Sequence, residues 1–213
     1  MLVNNHSGND KLKIILRNLG LIVADTITLG GASKLNETYI EIAEYTKQCN
    51  DTLYYLQVDK FLNSLEVDSD EFENFIKDNP DNLKLGLETI KLLEQTALEK
   101  QAGMLARALK IYIKNPTPDE KSKFHKNIHI ITNLDHHLIN EIEHLKDYPV
   151  EPPHSLYKID GRINLSVFVV NPNKNLINFE FVKLPQTSFF IPGKELYVVS
   201  SYYMEFYKNI FID

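Results

Sequence analysis

The chain has 213 residues, 43% hydrophobic and 24% charged, with 8 Gly and 9 Pro, which is the composition of a folded globular protein and excludes disordered, collagenous and rod-like classes. Cys49 is the single cysteine, so an internal disulfide, a four-cysteine zinc site and a CxxC pair are excluded, and a reducing, cytoplasmic setting is expected. The formal charge of −6 leaves no cationic surplus to gather nucleic-acid phosphates.

Residues 1–10 carry no basic run ahead of an apolar core, so no secretory signal peptide is expected. The most apolar stretch, 14–32, is interrupted by Arg17, Asn18 and Asp25, whereas a membrane span wants about 20 nearly uncharged residues. Leu12, Ile15, Leu16, Leu19, Ile22 and Val23 follow the 3, 4, 7 spacing of one apolar helix face, ended by Gly30 and Gly31. That face is expected to meet the core or a partner, which makes Leu12, Leu16, Leu19 and Ile22 candidate contact residues. The alternative is a membrane-acting effector that inserts residues 12–32.

Residues 36–49 and 52–65 read as helices, the second with Leu53, Leu56, Val58, Phe61, Leu62 and Leu65 inward. Asp68 and Glu71 form a capping-box variant before a short helix bearing Phe72, Phe75 and Ile76, which stops near Asn79-Pro80. From Asp81, Leu83, Leu87, Ile90 and Glu94 make one row beside Leu85, Leu92 and Leu93. Thr96 and Glu99 then read as a capping box that starts a new helix with Ala102, Leu105, Ala106, Leu109, Tyr112 and Ile113 inside. Asn115-Pro116 closes that helix, and Thr117-Pro118-Asp119-Glu120 opens the next by combining an N-cap Thr, a first-turn Pro and a returning Glu. Phe124, Ile128 and Ile131 are its expected inner face. Asn133 or Asp135 caps a further helix with Leu138, Ile142 and Leu145.

Pro149, Pro152 and Pro153 mark a linker over 148–160, after which the hydrophobic period falls from about 3.6 to 2. Ile163, Leu165, Val167 and Val169 are expected to pair with Ile177, Phe179 and Phe181 as an antiparallel hairpin turning at 171–175. A third strand follows at 196–199. Ser200 or Ser201 caps a terminal helix with the stripe Tyr203, Phe206, Tyr207, Ile210 and Phe211, which reads as core. The expected fold is α+β and predominantly α: a 1–35 apolar helical segment, a 36–115 helical bundle, and a 116–213 winged-helix-like region with a β-hairpin and terminal helix.

Chemistry-bearing clusters are sparse. His125, His129, His136, His137 and His144 fall within twenty residues, but at 1.5 Å per residue His129 and His136 are about 10 Å apart on one helix, too far for one ion. His125 and His129 remain a weak two-histidine metal candidate in need of a third ligand. Lys126 stands where an HExxH motif has Glu. Asp68-Ser69-Asp70-Glu71 fails as a calcium loop, because Glu73 replaces the turn Gly and Asn79 the closing Glu. Gly30-Gly31-Ala32-Ser33-Lys34 lacks the phosphate-loop spacing. No catalytic residue and no cofactor is therefore expected. On the helix after 135, Asp135, Glu141, Glu143 and Asp147 face only Lys146 among cations, which argues against DNA binding by a winged helix and leaves Glu141 and Glu143 as candidate protein-contact residues.

Residues 10–147 resemble a poorly characterised group of small bacterial proteins carried by prophages and genomic islands. The likeness rests on the apolar N-terminal segment, Asp59-Lys60-Phe61-Leu62, Lys84-Leu85-Gly86, the run from Ala106 through Ile113 and the Phe124 to Ile131 pattern; Tyr197-Val198-Val199-Ser200 is similar to the C-terminal ending of that group. The group has a more membrane-like N-terminus, from which Arg17 and Asp25 depart. The resemblance implies a mobile-element setting, in phage defence or its evasion, and transfers no catalytic residue. The reading is a non-enzymatic protein that binds another protein, with self-association and a membrane contact through the N-terminal segment as further options and a transcription regulator as second alternative.

Overall fold

The computed structural model describes Gln57, Val58, Lys60, Phe61, Ser64, Leu65, Val67, Asn74, Phe75 and residues 79–96, 98–187, 189 and 191–212. Expectations for residues 1–56, including the helix of Leu12 to Val23 and Cys49, and for the 68–71 cap lie outside the described residues. Within them the chain is predominantly helical, with small antiparallel sheets in its C-terminal part. It divides into two compact units, Met1–Thr132 and Asn133–Asp213.

In the first unit, α1 (Pro80–Leu92) starts where Asn79 holds an extended backbone and its Oδ1 accepts the Asp81 N–H at 3.0 Å, with Pro80 in the first turn, where its missing N–H costs nothing. Asn79-Pro80 thus opens a helix. Buried among its described side chains are Asn82, Leu85, Gly86, Thr89, Ile90 and, just beyond, Leu93, at the 3, 4, 7, 8, 11 spacing of one face. Leu85, Ile90 and Leu93 are buried as expected, Glu94 is exposed and Leu92 half-buried, and the side chains of Leu83 and Leu87 lie outside the description. Two polar side chains are buried here: Asn82 Nδ2 donates to the Phe75 carbonyl at 2.8 Å and Oδ1 accepts the Tyr112 hydroxyl at 3.2 Å, while Thr89 bonds back to Leu85 O.

A 3₁₀ turn, Leu93–Gln95, breaks the rod, and α2 (Glu99–Lys114) begins close to its expected start. Thr96 is not its cap. The Thr96 hydroxyl lies 2.6 Å from Gln57 Oε1 and 2.7 Å from Leu93 O, buried with Gln57, and the N-cap position is Leu98. Gln101 takes over the capping role: its Oε1 accepts the Leu98 N–H at 2.9 Å, the returning half of a capping box. The expected inner face of α2 is buried, and so are Gln101, Gly103, Met104 and Ala108, which makes α2 the central helix of this unit. At Gly103 a Cβ would stand 3.3 Å from the Arg107 guanidinium and 3.6 Å from Ser64 Oγ, so the missing side chain lets Lys60 and Ser64 approach closely.

Thr117 opens α3 (Pro118–Thr132), its Oγ1 accepting the Glu120 N–H at 3.2 Å, while Glu120 pairs with Lys123 at 3.0 Å. The buried face is Phe124, Asn127, Ile130 and Ile131; Ile128 is only half-buried, because Ile130 takes the inner position beside Ile131. Phe124 stacks on Tyr112 of α2 with ring centroids 5.6 Å apart, and Tyr112 meets Phe75 edge-on at 5.4 Å.

In the second unit Asp135 caps α4 (His136–Leu145), its Oδ1 accepting the Leu138 N–H at 2.7 Å, and Leu138, Ile142 and Leu145 are buried as the spacing predicts. The 148–160 stretch holds Val150 beside Val199 in a parallel bridge, with Pro152 and Tyr157 buried. Two strands follow, β1 (Lys158–Ile159) and β2 (Arg162–Ile163), paired antiparallel.

The expected hairpin between 163–169 and 177–181 does not form. β3 (Val169–Val170) and β4 (Val182–Lys183) each pair with β5 (Leu196–Val199), which therefore lies between them in the sheet. The intervening residues satisfy their backbone locally. Asn164 caps a 3₁₀ turn at Leu165–Val167, and Asn173 Oδ1 accepts the Asn175 N–H at 2.9 Å to open the short helix α5 (Lys174–Asn178). Phe179 closes α5, Glu180 turns with φ +60, and Phe181 enters the core, so the buried–exposed alternation of Phe179, Glu180 and Phe181 arises from a helix end and a turn. Asn171, also at positive φ, extends the β3–β5 ladder, its Oδ1 accepting the Glu195 N–H at 2.7 Å.

The expected third strand matches β5. Ser200 then caps α6 (Ser201–Phe206), accepting the Tyr203 N–H at 3.1 Å and donating to Glu180 O at 2.6 Å, and the chain continues through a π-helical turn at Tyr207–Phe211. The aromatic stripe is core: Phe181 lies 4.9 Å from Phe206 and 5.7 Å from Tyr203, centroid to centroid. Tyr203 donates its hydroxyl to Ile142 O at 2.9 Å, which ties the terminal helix to α4.

Candidate functional site

Asp160 and Gly161 both adopt positive φ, +50 and +75, as a two-residue turn with type I′ handedness requires, and Gly bears that conformation without Cβ strain. They join β1 to β2 with Lys158 opposite Ile163 and Ile159 opposite Arg162. Cross-strand partners share a face and successive residues alternate. Ile163 packs on the cluster of Tyr157, Val167, Phe168, Leu196 and Val198, and Lys158 Nζ lies 5.9 Å above the Phe189 ring. The opposite face therefore carries Ile159 and Arg162, and Ile159 is 56% exposed.

Two further apolar side chains stand open beside this hairpin, Leu156 at 44% and Leu165 at 38%. Asn164 holds their backbones together: its N–H donates to Tyr157 O at 2.9 Å and its Nδ2 to Leu156 O at 3.1 Å, just before Leu165. Among the described residues, three of the five exposed large apolar side chains thus fall within 156–165. The rings beneath are fixed, with Tyr157 5.1 Å from Phe168 and 5.7 Å from Phe189. Leu156, Ile159 and Leu165 are thus exposed along a segment that Tyr157 and Ile163 anchor on packed rings. The sequence carried its signal in Asp160-Gly161 between strand-like residues, a dipeptide that straddles the end of the expected 148–160 linker.

The residues singled out from sequence lie elsewhere. His125 and His129 are exposed on α3, and His136, His137 and His144 are exposed on α4. Among the described residues no three His, Cys, Asp or Glu side chains gather as a metal would require. Glu141 lies on α4 with Oε1 3.1 Å from His137 Nε2. Glu143 accepts Lys146 Nζ at 2.7 Å and the Tyr207 hydroxyl at 2.9 Å. Burial and the Glu143 carboxylate raise the Tyr207 pKa, and the hydrogen bond and charge of Glu143 raise that of Lys146. Leu12, Leu16, Leu19 and Ile22 lie outside the described residues.

A second charged contact, missed in the sequence, sits before the hairpin. Glu151, at φ +41, accepts Lys183 Nζ at 2.8 Å and the Ser201 N–H at 2.9 Å. These two hydrogen bonds, Lys183 first, hold its carboxyl down at about 2. The contact joins the Val150 bridge, β4 and the start of α6, and its role is to hold the fold.

Among the described residues no helix is long and apolar enough to cross a membrane. Comparison with protein-family models, with curated proteins and with solved structures finds no match to this chain.

Proposed function

We propose that this chain is a non-enzymatic bacterial or phage protein that acts in the cytoplasm by binding another protein, in a mobile-element setting of phage defence or its evasion. The observation that supports the binding reading is the exposure of Leu156, Ile159 and Leu165 along one short segment whose Tyr157 and Ile163 are anchored on packed rings. The setting is supported by the sequence resemblance described above. Covering the open portions of these three side chains contributes on the order of 2–4 kcal/mol, at about 1.5–3 kcal/mol for each fully buried aliphatic side chain. That is enough for an anchoring spot and too little for a whole interface, so flanking contacts must add to it. The apolar face of Leu12, Leu16, Leu19 and Ile22 is the second contact region in this proposal.

The test compares affinity purification from a bacterial host of the unaltered chain and of an Ile159→Asp, Leu165→Asp double variant, with circular dichroism to show that both are folded. A discrete protein retained by the first and lost with the second supports the proposal. Identical retained proteins for two equally folded chains would overturn the role of this surface.

A further inference from the structure

We draw no further inference here: the strongest candidate, the His137–Glu141 pair on α4, whose Glu141 Oε2 is buried without a hydrogen-bond partner, carries nothing because the Glu141 side chain remains 28% exposed and no third ligating side chain among the described residues joins it.

Discussion

Replacing Gln101 by Met keeps the volume of a side chain that is 1% exposed and removes its hydrogen bonds to Leu98 and Ile131. Helix ends leave the first N–H groups and last carbonyls without intrahelical partners, and Gln101 serves one of each: the Leu98 N–H at the start of α2 and, at 2.7 Å through Nε2, the Ile131 carbonyl at the end of α3. A buried carbonyl stripped of its partner costs about 1–3 kcal/mol, and a lost N-terminal cap about 1 kcal/mol. Because Met fills the same space, no cavity cost is added, and the expected loss for Gln101→Met is about 2–4 kcal/mol. Urea unfolding followed by circular dichroism reads this as a lower midpoint with unchanged slope. Each kcal/mol should also lower Tm by about 2–4 °C for a chain of this size. A variant within about 0.5 kcal/mol of the parent would refute the reasoning, since it would mean that neither backbone group depends on this amide.

Glu151→Gln addresses acid stability. The carboxyl pKa falls from 4.5 in the unfolded chain to about 2 in the folded one, so its contribution is complete above about 4.5 and is lost as pH falls toward 2. With the side chain 40% exposed, solvent screening limits that contribution to about 1 kcal/mol. Urea midpoints of parent and variant should differ at pH 7 and converge toward pH 2; a gap that widens on acidification would contradict the assignment. Tyr203→Phe deletes the buried hydroxyl bond to Ile142 O and should destabilise the second unit by about 1–2 kcal/mol in thermal unfolding, with equal stability as the contrary result.

Local signals were legible because they are local. Thr117-Pro118 and Ser200 act within three residues of themselves, and Leu138, Ile142 and Leu145 need only the helical period. Buried amides escaped the same reading. Gln57 meets Thr96 across 39 positions and Gln101 meets Ile131 across 30, and nothing in an isolated Gln distinguishes such a partner from solvent. Strand pairing failed for a related reason. Period-two alternation at 177–181 is compatible with a short helix followed by a left-handed residue, and only the backbone closure at Asn173 and Glu180 decides between them. Ile177 is half-buried within α5, where a strand would have buried it with Phe179. Of the exposed apolar side chains, Leu165 stands in the period-two row of Ile163, Val167 and Val169 and is expected inside, but Asn164 caps a 3₁₀ turn there and Leu165 is left 38% exposed; Ile159 is exposed beside the Asp160-Gly161 turn. The histidine cluster drew notice through composition, yet the helix geometry spreads those rings over exposed positions.

The most direct measurement is site-specific photo-cross-linking in a bacterial host, with a photoreactive phenylalanine analogue in place of Ile159 and, in a parallel culture, of the exposed His136. A discrete protein adduct at 159 that is absent at 136 is the predicted result. Adducts missing from 159, or identical at both positions, would contradict a protein-binding role for this hairpin.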